Sequence, residues 1–246
     1  MTTRIPALLW RELEGLFFSP LAYIVLTVFL VLSGFSFVVA LAVGGGVVAD
    51  TIAYFLGDGP FFWVSLLLIP PLVTMRLVAE ERRSGTLEVL LTAPVRDGEV
   101  VLAKFLGAMV FQAFLWAPTL LYVRILRGYG ALPDPGQVAS SYLGIAAVTA
   151  LLTAAGLFFS TRTSNQMIAA VSALTVNVLL LAAPLLAQGE RFGALGRALD
   201  TISMTSHFGD SFSRGLIDTG TLAWYAAGTL GLLVLCTRSL EARRWR

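Results

Sequence analysis

The residues able to do chemistry are few, and most are gathered in one passage. From Glu80 to Lys104 the chain reads EERRSGTLEVLLTAPVRDGEVVLAK, with five acids (Glu80, Glu81, Glu88, Asp97, Glu99) and four bases (Arg82, Arg83, Arg96, Lys104) between two apolar runs. Charges at that density are too costly for hydrocarbon, so the passage is expected to be a loop outside the bilayer. Inside it, Leu87, Leu90 and Leu91 fall at i, i+3 and i+4. A short helix beginning near Thr86 would carry them as one apolar stripe until Pro94 stops it. Such a stripe suits a groove on a partner protein.

Catalytic chemistry is not in evidence. The chain has no Gly-rich loop ending in Gly-Lys-Ser/Thr, and its only lysine lies in Val101-Leu102-Ala103-Lys104, so no nucleotide site is expected in it. His207 is the single histidine, with no second metal ligand or nucleophile beside it, and it reads as structural or hydrogen-bonding. Neither a catalytic residue, nor a metal, nor a cofactor of this chain is expected. The single cysteine, Cys236, excludes an intrachain disulfide and reads as core. Gln112, Thr175 and Asn177 are the main polar groups within apolar runs, each expected to make a modest interhelical hydrogen bond.

The elements around this passage are apolar and long. Of 246 residues, 57% are hydrophobic and 13% charged, with a mean hydropathy of +0.82. Soluble domains carry about a quarter charged residues, so an all-α integral membrane protein is the class that fits. A net charge of +2 gives no basic stripe, and no nucleic acid is expected as a partner. Six spans are expected: Leu21 to Val43, Pro60 to about Met75, Phe105 to Val123, about Ser141 to Ser160, Met167 to Ala187, and about Thr219 to Thr237. Pro70-Pro71 should kink span two. Gly44 to Gly59 reads as a Gly-rich, acidic connection, and Ala146, Ala150 and Ala154 as a small-residue stripe for close helix approach.

Before span one, Leu9, Leu13, Leu16 and Phe17 recur at helical spacing ahead of Ser19-Pro20, as in a helix lying along the membrane surface. Between spans five and six, Gln188 to Asp218 holds two short amphipathic patterns, Phe192/Leu195/Leu199/Ile202 and Phe208/Phe212/Leu216, the second ended by Gly215. These two helices either dip into the bilayer, cap an exit route, or form a packed surface lid. With both termini and the 80–104 loop on the cytoplasmic side, twelve of the 17 bases fall inside.

A resemblance draws these pieces together. Glu81-Arg82-Arg83-Ser84-Gly85-Thr86-Leu87-Glu88, then Leu90-Leu91-Thr92-Ala93-Pro94-Val95, then Glu99-Val100-Val101-Leu102-Ala103-Lys104-Phe105, resembles the loop after the second span in permease subunits of type-2 ABC transporters. Arg11-Glu12-Leu13 leading to Ser19-Pro20-Leu21-Ala22-Tyr23, and His207-Phe208 followed by Arg214-Gly215-Leu216-Ile217-Asp218, agree with the same family. Within it the chain looks most like the subgroup of the gliding-motility-associated permease and, more distantly, the permease of nitrous-oxide reductase maturation.

The resemblance implies a single permease domain, residues 1–246, in a bacterial cytoplasmic (inner) membrane. Residues 1–20 would form the interfacial connecting helix, 80–104 the coupling loop with its helix at Thr86 to Thr92, and 188–218 an outer re-entrant hairpin carrying His207, Phe208, Phe212 and Arg214. Glu81, Arg82, Arg83, Gly85, Thr86, Leu87, Glu88, Leu90 and Leu91 would meet the ATPase. The partners it implies are two cytoplasmic ATP-binding subunits, which hold ATP and Mg, and a second permease, identical or paralogous. The expected function is ATP-driven transport, in the direction of export. The alternative is a non-transporting anchor that docks an ATPase in a motility or secretion complex; an intramembrane enzyme would need paired nucleophiles or ligands that the spans lack.

Overall fold

A computed structural model describes residues 5–86, 95–187 and 203–244, and no strand occurs among them. In chain order the helices are α1 (Ile5–Phe17), α2 (Pro20–Val43), α3 (Val48–Ala53), α4 (Pro60–Thr74), α5 (Ala79–Arg83), α6 (Asp97–Trp116), α7 (Leu120–Gly128), α8 (Pro135–Arg162), α9 (Gln166–Ala187), α10 (Met204–Asp210) and α11 (Thr219–Arg244). A π turn at Tyr54–Asp58 and 3-10 turns at Ala117–Thr119 and Phe212–Arg214 join some of them.

Local chemistry fixes where the long helices begin. Ser19 Oγ accepts from Leu21 N at 3.2 Å and Pro20 occupies the first turn of α2, where its missing N–H breaks no helical bond. Asp134 and Pro135 repeat the device for α8, with Asp134 Oδ1 accepting from Gly136 N at 2.9 Å. Five described stretches are long and apolar enough to cross a bilayer: α2, Val48–Arg83, Asp97–Gly128, α8 and Thr219–Ala242. α9 adds an apolar helix of 22 residues where span five was expected.

α8 is the centre of the bundle, packed against α4, α6, α9 and α11. Close approach to it is made by glycines instead of the expected alanine stripe. A Cβ on Gly156 would lie 2.1 Å from Thr74 Oγ1, and one on Gly144 would lie 2.7 Å from the rings of Phe208 and Phe212. Of the alanines, Ala154 is fully buried, Ala150 half-buried and Ala146 exposed. Residues four apart drift around a helix of 3.6 residues per turn, so over the roughly two turns from Ala146 to Ala154 the stripe leaves the packed face. α2 sits at the edge and exposes Ile24, Val28, Val31, Phe35 and Val38, an apolar flank suited to hydrocarbon.

Other boundaries also move. The Gly44 to Gly59 connection is largely helical: Thr51, Ile52, Phe55 and Leu56 are buried at helical spacing, so the segment packs as α3 and the π turn. α4 continues through Pro70 and Pro71 to Thr74, whose Oγ1 donates to the Pro70 carbonyl at 2.7 Å. The third span extends at both ends, opening at Asp97 and continuing beyond the Pro118 turn to Gly128. Of the in-span polar groups, Gln112 Nε2 donates to Thr153 Oγ1 across α6 and α8 at 2.6 Å, whereas Thr175 donates to the Val171 carbonyl of its own helix. Asn177 is buried with both amide atoms unpartnered, against the interhelical bond expected of it.

Candidate functional site

The charged passage is anchored before it leaves the bundle. Val78 N and Ala79 N both donate to Ser160 Oγ, each at 3.1 Å, so the start of α5 is tied to the last turns of α8. Two residues past the end of α5, Gly85 has a φ of 75°, which side-chain-bearing residues rarely adopt. Beyond it Thr86 is exposed, with its Oγ1 2.8 Å from Ser84 Oγ and donating to the Glu81 carbonyl at 3.3 Å. Leu87, Glu88, Leu90 and Leu91 lie outside the described residues. The chain resumes at Val95, and Glu99 Oε2 accepts from Arg96 N at 3.1 Å to open α6.

Around this anchor the structure assembles an ion cluster from three elements. Lys104 of α6 is 1% exposed, and its Nζ donates to both oxygens of Glu12 of α1, at 3.0 and 3.1 Å. The same ammonium lies 2.8 Å from Glu81 Oε2 of α5, close enough for an ion pair though not aligned as a hydrogen bond. Arg11 Nη2 completes the ring, 2.9 Å from Glu12 Oε1 and 3.3 Å from Glu81 Oε1. Two acids and two bases leave no net charge, the condition under which buried ions are tolerated. The cluster joins α1, α5 and α6 over sequence separations of 70 and 92 residues.

A cavity of about 300 Å³ lies against the cluster, lined by Arg11, Glu12, Arg76, Glu80 and Glu81 among others. Arg76 pairs through Nε with Glu80 at 3.1 Å and through Nη1 with Ser19 Oγ, which ties the second span to the junction of α1 and α2. Of the expected ATPase-facing residues, Glu81 is thus an internal ligand of Lys104, while Arg83, Gly85 and Thr86 are exposed. Arg82 is half-buried, with its Nη1 shielded and without an acceptor.

Sequence reasoning missed Glu12 and Lys104 as a pair, although a signal was present. Glu12 falls four residues from both Leu8 and Leu16, and Lys104 falls among Val100, Val101, Phe105 and Ala108, so each stands on its helix's buried stripe. A charge on such a stripe demands a partner of opposite sign. The passage to Lys104 is accordingly no continuous solvated loop, because its last turns belong to the packed bundle.

On the other side, Gln188 to Ile202 lie outside the described residues, which removes the first half of the expected hairpin. The residues of its second half pack against α4 and α8. Phe208 and Phe212 are fully buried, and Phe208 packs at 5.1 Å from Phe62 and 5.8 Å from Trp63. The Phe212 carbonyl accepts from Ser140 Oγ at 2.8 Å, and the Ser213 carbonyl accepts from Gln137 Nε2 at 2.8 Å. Gly215, at φ 88°, ends the turn as expected. His207 is half-buried with its Nδ1 unpartnered, on the wall of a cavity of about 460 Å³ that also includes Asp210, Asp218 and Trp224. Arg214 is exposed, 3.7 Å from Asp210. Asp218 caps α11, and the Thr221 hydroxyl, then the Thr221 and Gly220 amides, hold its carboxyl below the usual carboxylate range.

Comparison with curated proteins finds no match. The family model described as ABC-2 family transporter protein matches residues 46–237, from the start of the second span through most of the last helix. With that match over well more than half of an apolar, all-helical bundle, the chain belongs to the ABC-2 family of transporters, as an integral membrane permease whose family implies an ATP-binding partner.

Proposed function

We propose that this chain is the route-forming permease of an ATP-driven exporter in a bacterial cytoplasmic membrane. It has six spans and both termini inside. Two ATP-binding subunits, which carry ATP and Mg, dock on the helix from Thr86 to Thr92 with Leu87, Leu90 and Leu91 in their groove and Glu88 in its first turn. A second permease, identical or paralogous, completes the route. The unsatisfied Nη1 of Arg82, four residues before Thr86 in sequence, supports a partner that supplies an acceptor there. On the outer side, the buried Phe208 and Phe212 support a hairpin that dips below the bundle's rim.

The observation that carries this reading is the cluster on Lys104. A handle that only tethers a partner has no need of a buried ionic connection to other elements. Here a displacement of α5 acts through Glu81 on α6, and through Lys104 and Glu12 on α1. The ATPase stroke is thereby delivered to the surface helix and a span together. In proteoliposomes containing the ATP-binding subunit, Leu87→Ala or Leu90→Ala should weaken its binding more than tenfold, as loss of a central anchor costs about 2 kcal/mol or more. Variants that insert normally yet bind and stimulate the ATPase like wild type would refute the docking assignment; ATPase stimulation with no transport of any substrate tried would leave the anchor alternative standing.

A further inference from the structure

The cavity of about 300 Å³ beside the ion cluster has no part in the coupling proposed above, yet its walls hold charged groups with hydrogen-bonding capacity to spare. Arg76 uses Nε on Glu80 and Nη1 on Ser19, so its Nη2 has no partner among the described residues. Arg11 uses only Nη2, on Glu12 and Glu81, which leaves Nε and Nη1. On the acidic side, Glu80 spends Oε2 on Arg76 and keeps Oε1. Residues with spare guanidinium donors and a spare carboxylate acceptor therefore line one volume, with Gly15, Leu16 and Leu77 completing the wall. The volume falls at the lower end of the roughly 300–1,000 Å³ typical of small-ligand sites.

Its level in the membrane limits the occupant. Ser19, bonded to Arg76, is the residue from which α2 sets out across the bilayer, and Arg76, Glu80 and Glu81 follow the apolar run from Leu66 to Val73. The cavity thus lies where hydrocarbon gives way to headgroups, and Trp10, 66% exposed on α1, stands as aromatic residues at that boundary do. Phospholipid phosphates occupy this level, and guanidinium groups take phosphate oxygens through paired donors. Charge decides which headgroup. Arg11, Arg76 and, behind the wall, Lys104 balance Glu12, Glu80 and Glu81, so an anionic lipid would leave a charge in excess, whereas a zwitterion leaves none. Among zwitterions, a quaternary ammonium has no N–H to give Glu80, whereas a primary ammonium does. Exposed Phe18, Ile24 and Val28, at the same end of α2, offer apolar surface to the acyl chains. We propose that the cavity between α1 and the Arg76–Glu81 segment is a binding site for a phospholipid whose headgroup joins a phosphate to a primary ammonium, as in phosphatidylethanolamine, with the phosphate on Arg11 and Arg76 and the ammonium on Glu80.

The test is native mass spectrometry of the full chain, released from detergent micelles that hold equal amounts of phosphatidylethanolamine, phosphatidylcholine and phosphatidylglycerol with identical acyl chains. The ethanolamine lipid is expected to be retained about tenfold more than either of the others, the worth of one charge-assisted hydrogen bond. Gly15→Phe places a ring over the cavity from an exposed position whose Cβ would meet nothing within 4 Å, and should bring the three lipids to parity. Glu80→Lys, also at an exposed position, leaves bases in excess and should make the glycerol lipid the leading adduct. Equal retention of the three by wild type, or an unchanged ethanolamine preference in either variant, overturns the proposal. A last arm separates the lipid from a soluble ester of the same headgroup: glycerophosphoethanolamine at the concentration of the lipid should leave the adduct in place. Displacement by it would assign the cavity to a soluble ligand and overturn the lipid site.

Discussion

Removal of Lys104 is the sharpest test of the ion cluster. Lys104→Met preserves much of the volume and deletes the charge, leaving Glu12 at 9% and Glu81 at 22% exposure with Arg11 as their only remaining cation among the described residues. Arg11 is 49% exposed, and its contribution is screened to the surface range of about 0–1 kcal/mol. Breaking a buried pair by deleting one partner costs about 3–5 kcal/mol, because the surviving charge stays desolvated. For a chain of this length each kcal/mol corresponds to roughly 2–4 °C in midpoint, so unfolding in detergent micelles should fall by about 6–20 °C. The double variant Lys104→Met/Glu12→Gln removes the stranded charge together with its partner and should recover most of that loss. Tryptophan fluorescence on heating, run for the wild type, both single variants and the double, closes the cycle. The reasoning fails if Lys104→Met lies within about 0.5 kcal/mol of wild type, as an ordinary surface substitution would. It fails also if the double variant equals the sum of the singles, for then Lys104 and Glu12 are not coupled.

Three further outcomes follow from other parts of the structure. Ser160→Ala strands the buried amides of Val78 and Ala79 and should cost about 1–3 kcal/mol, with faster proteolysis between Arg83 and Arg96 as the local sign. Gly156→Val drives a side chain into Thr74, where even a Cβ lies 2.1 Å from Oγ1, and overpacking of about 1–3 kcal/mol should appear as lower detergent-extracted yield and midpoint, whereas Gly231→Val, with no neighbour within reach, should be silent. Asp218 has a depressed folded-state carboxyl, so its stabilisation of α11 is complete above the ordinary carboxylate range near about pH 4 and is lost as pH falls through the lower folded value. The midpoint difference between wild type and Asp218→Asn should accordingly shrink on acidification, and a difference that grows would contradict the capping role.

Hydropathy and local pattern were enough for much of this protein. Five of the expected spans lie within described stretches able to cross the membrane, because an uncharged run of the right length has a single economical conformation in lipid, a helix that satisfies its own backbone. The amphipathic α1 and the Gly215 stop were legible for the same reason, each depending on residues within one or two turns, whereas α8 opens at Pro135, ahead of the expected start near Ser141. Phe208 and Phe212 were legible as an apolar pair, but that they wedge against Gly144 and bury completely is a property of α8's position.

What the tertiary structure decided was pairing between distant segments. Glu12 and Lys104, 92 residues apart, read in sequence as a surface acid and the end of a solvated loop; only when α1 lies on α6 do they become a buried pair, and Glu81 joins them only because Ser160 holds α5 in place. The choice of Gly144 and Gly156 over Ala146 for close approach, and the Gln112–Thr153 bond between α6 and α8, depend likewise on the rotation of α8 against its neighbours. Periodicity assigns a residue to a face of its own helix, whereas the neighbour that face meets is set by packing all the helices at once.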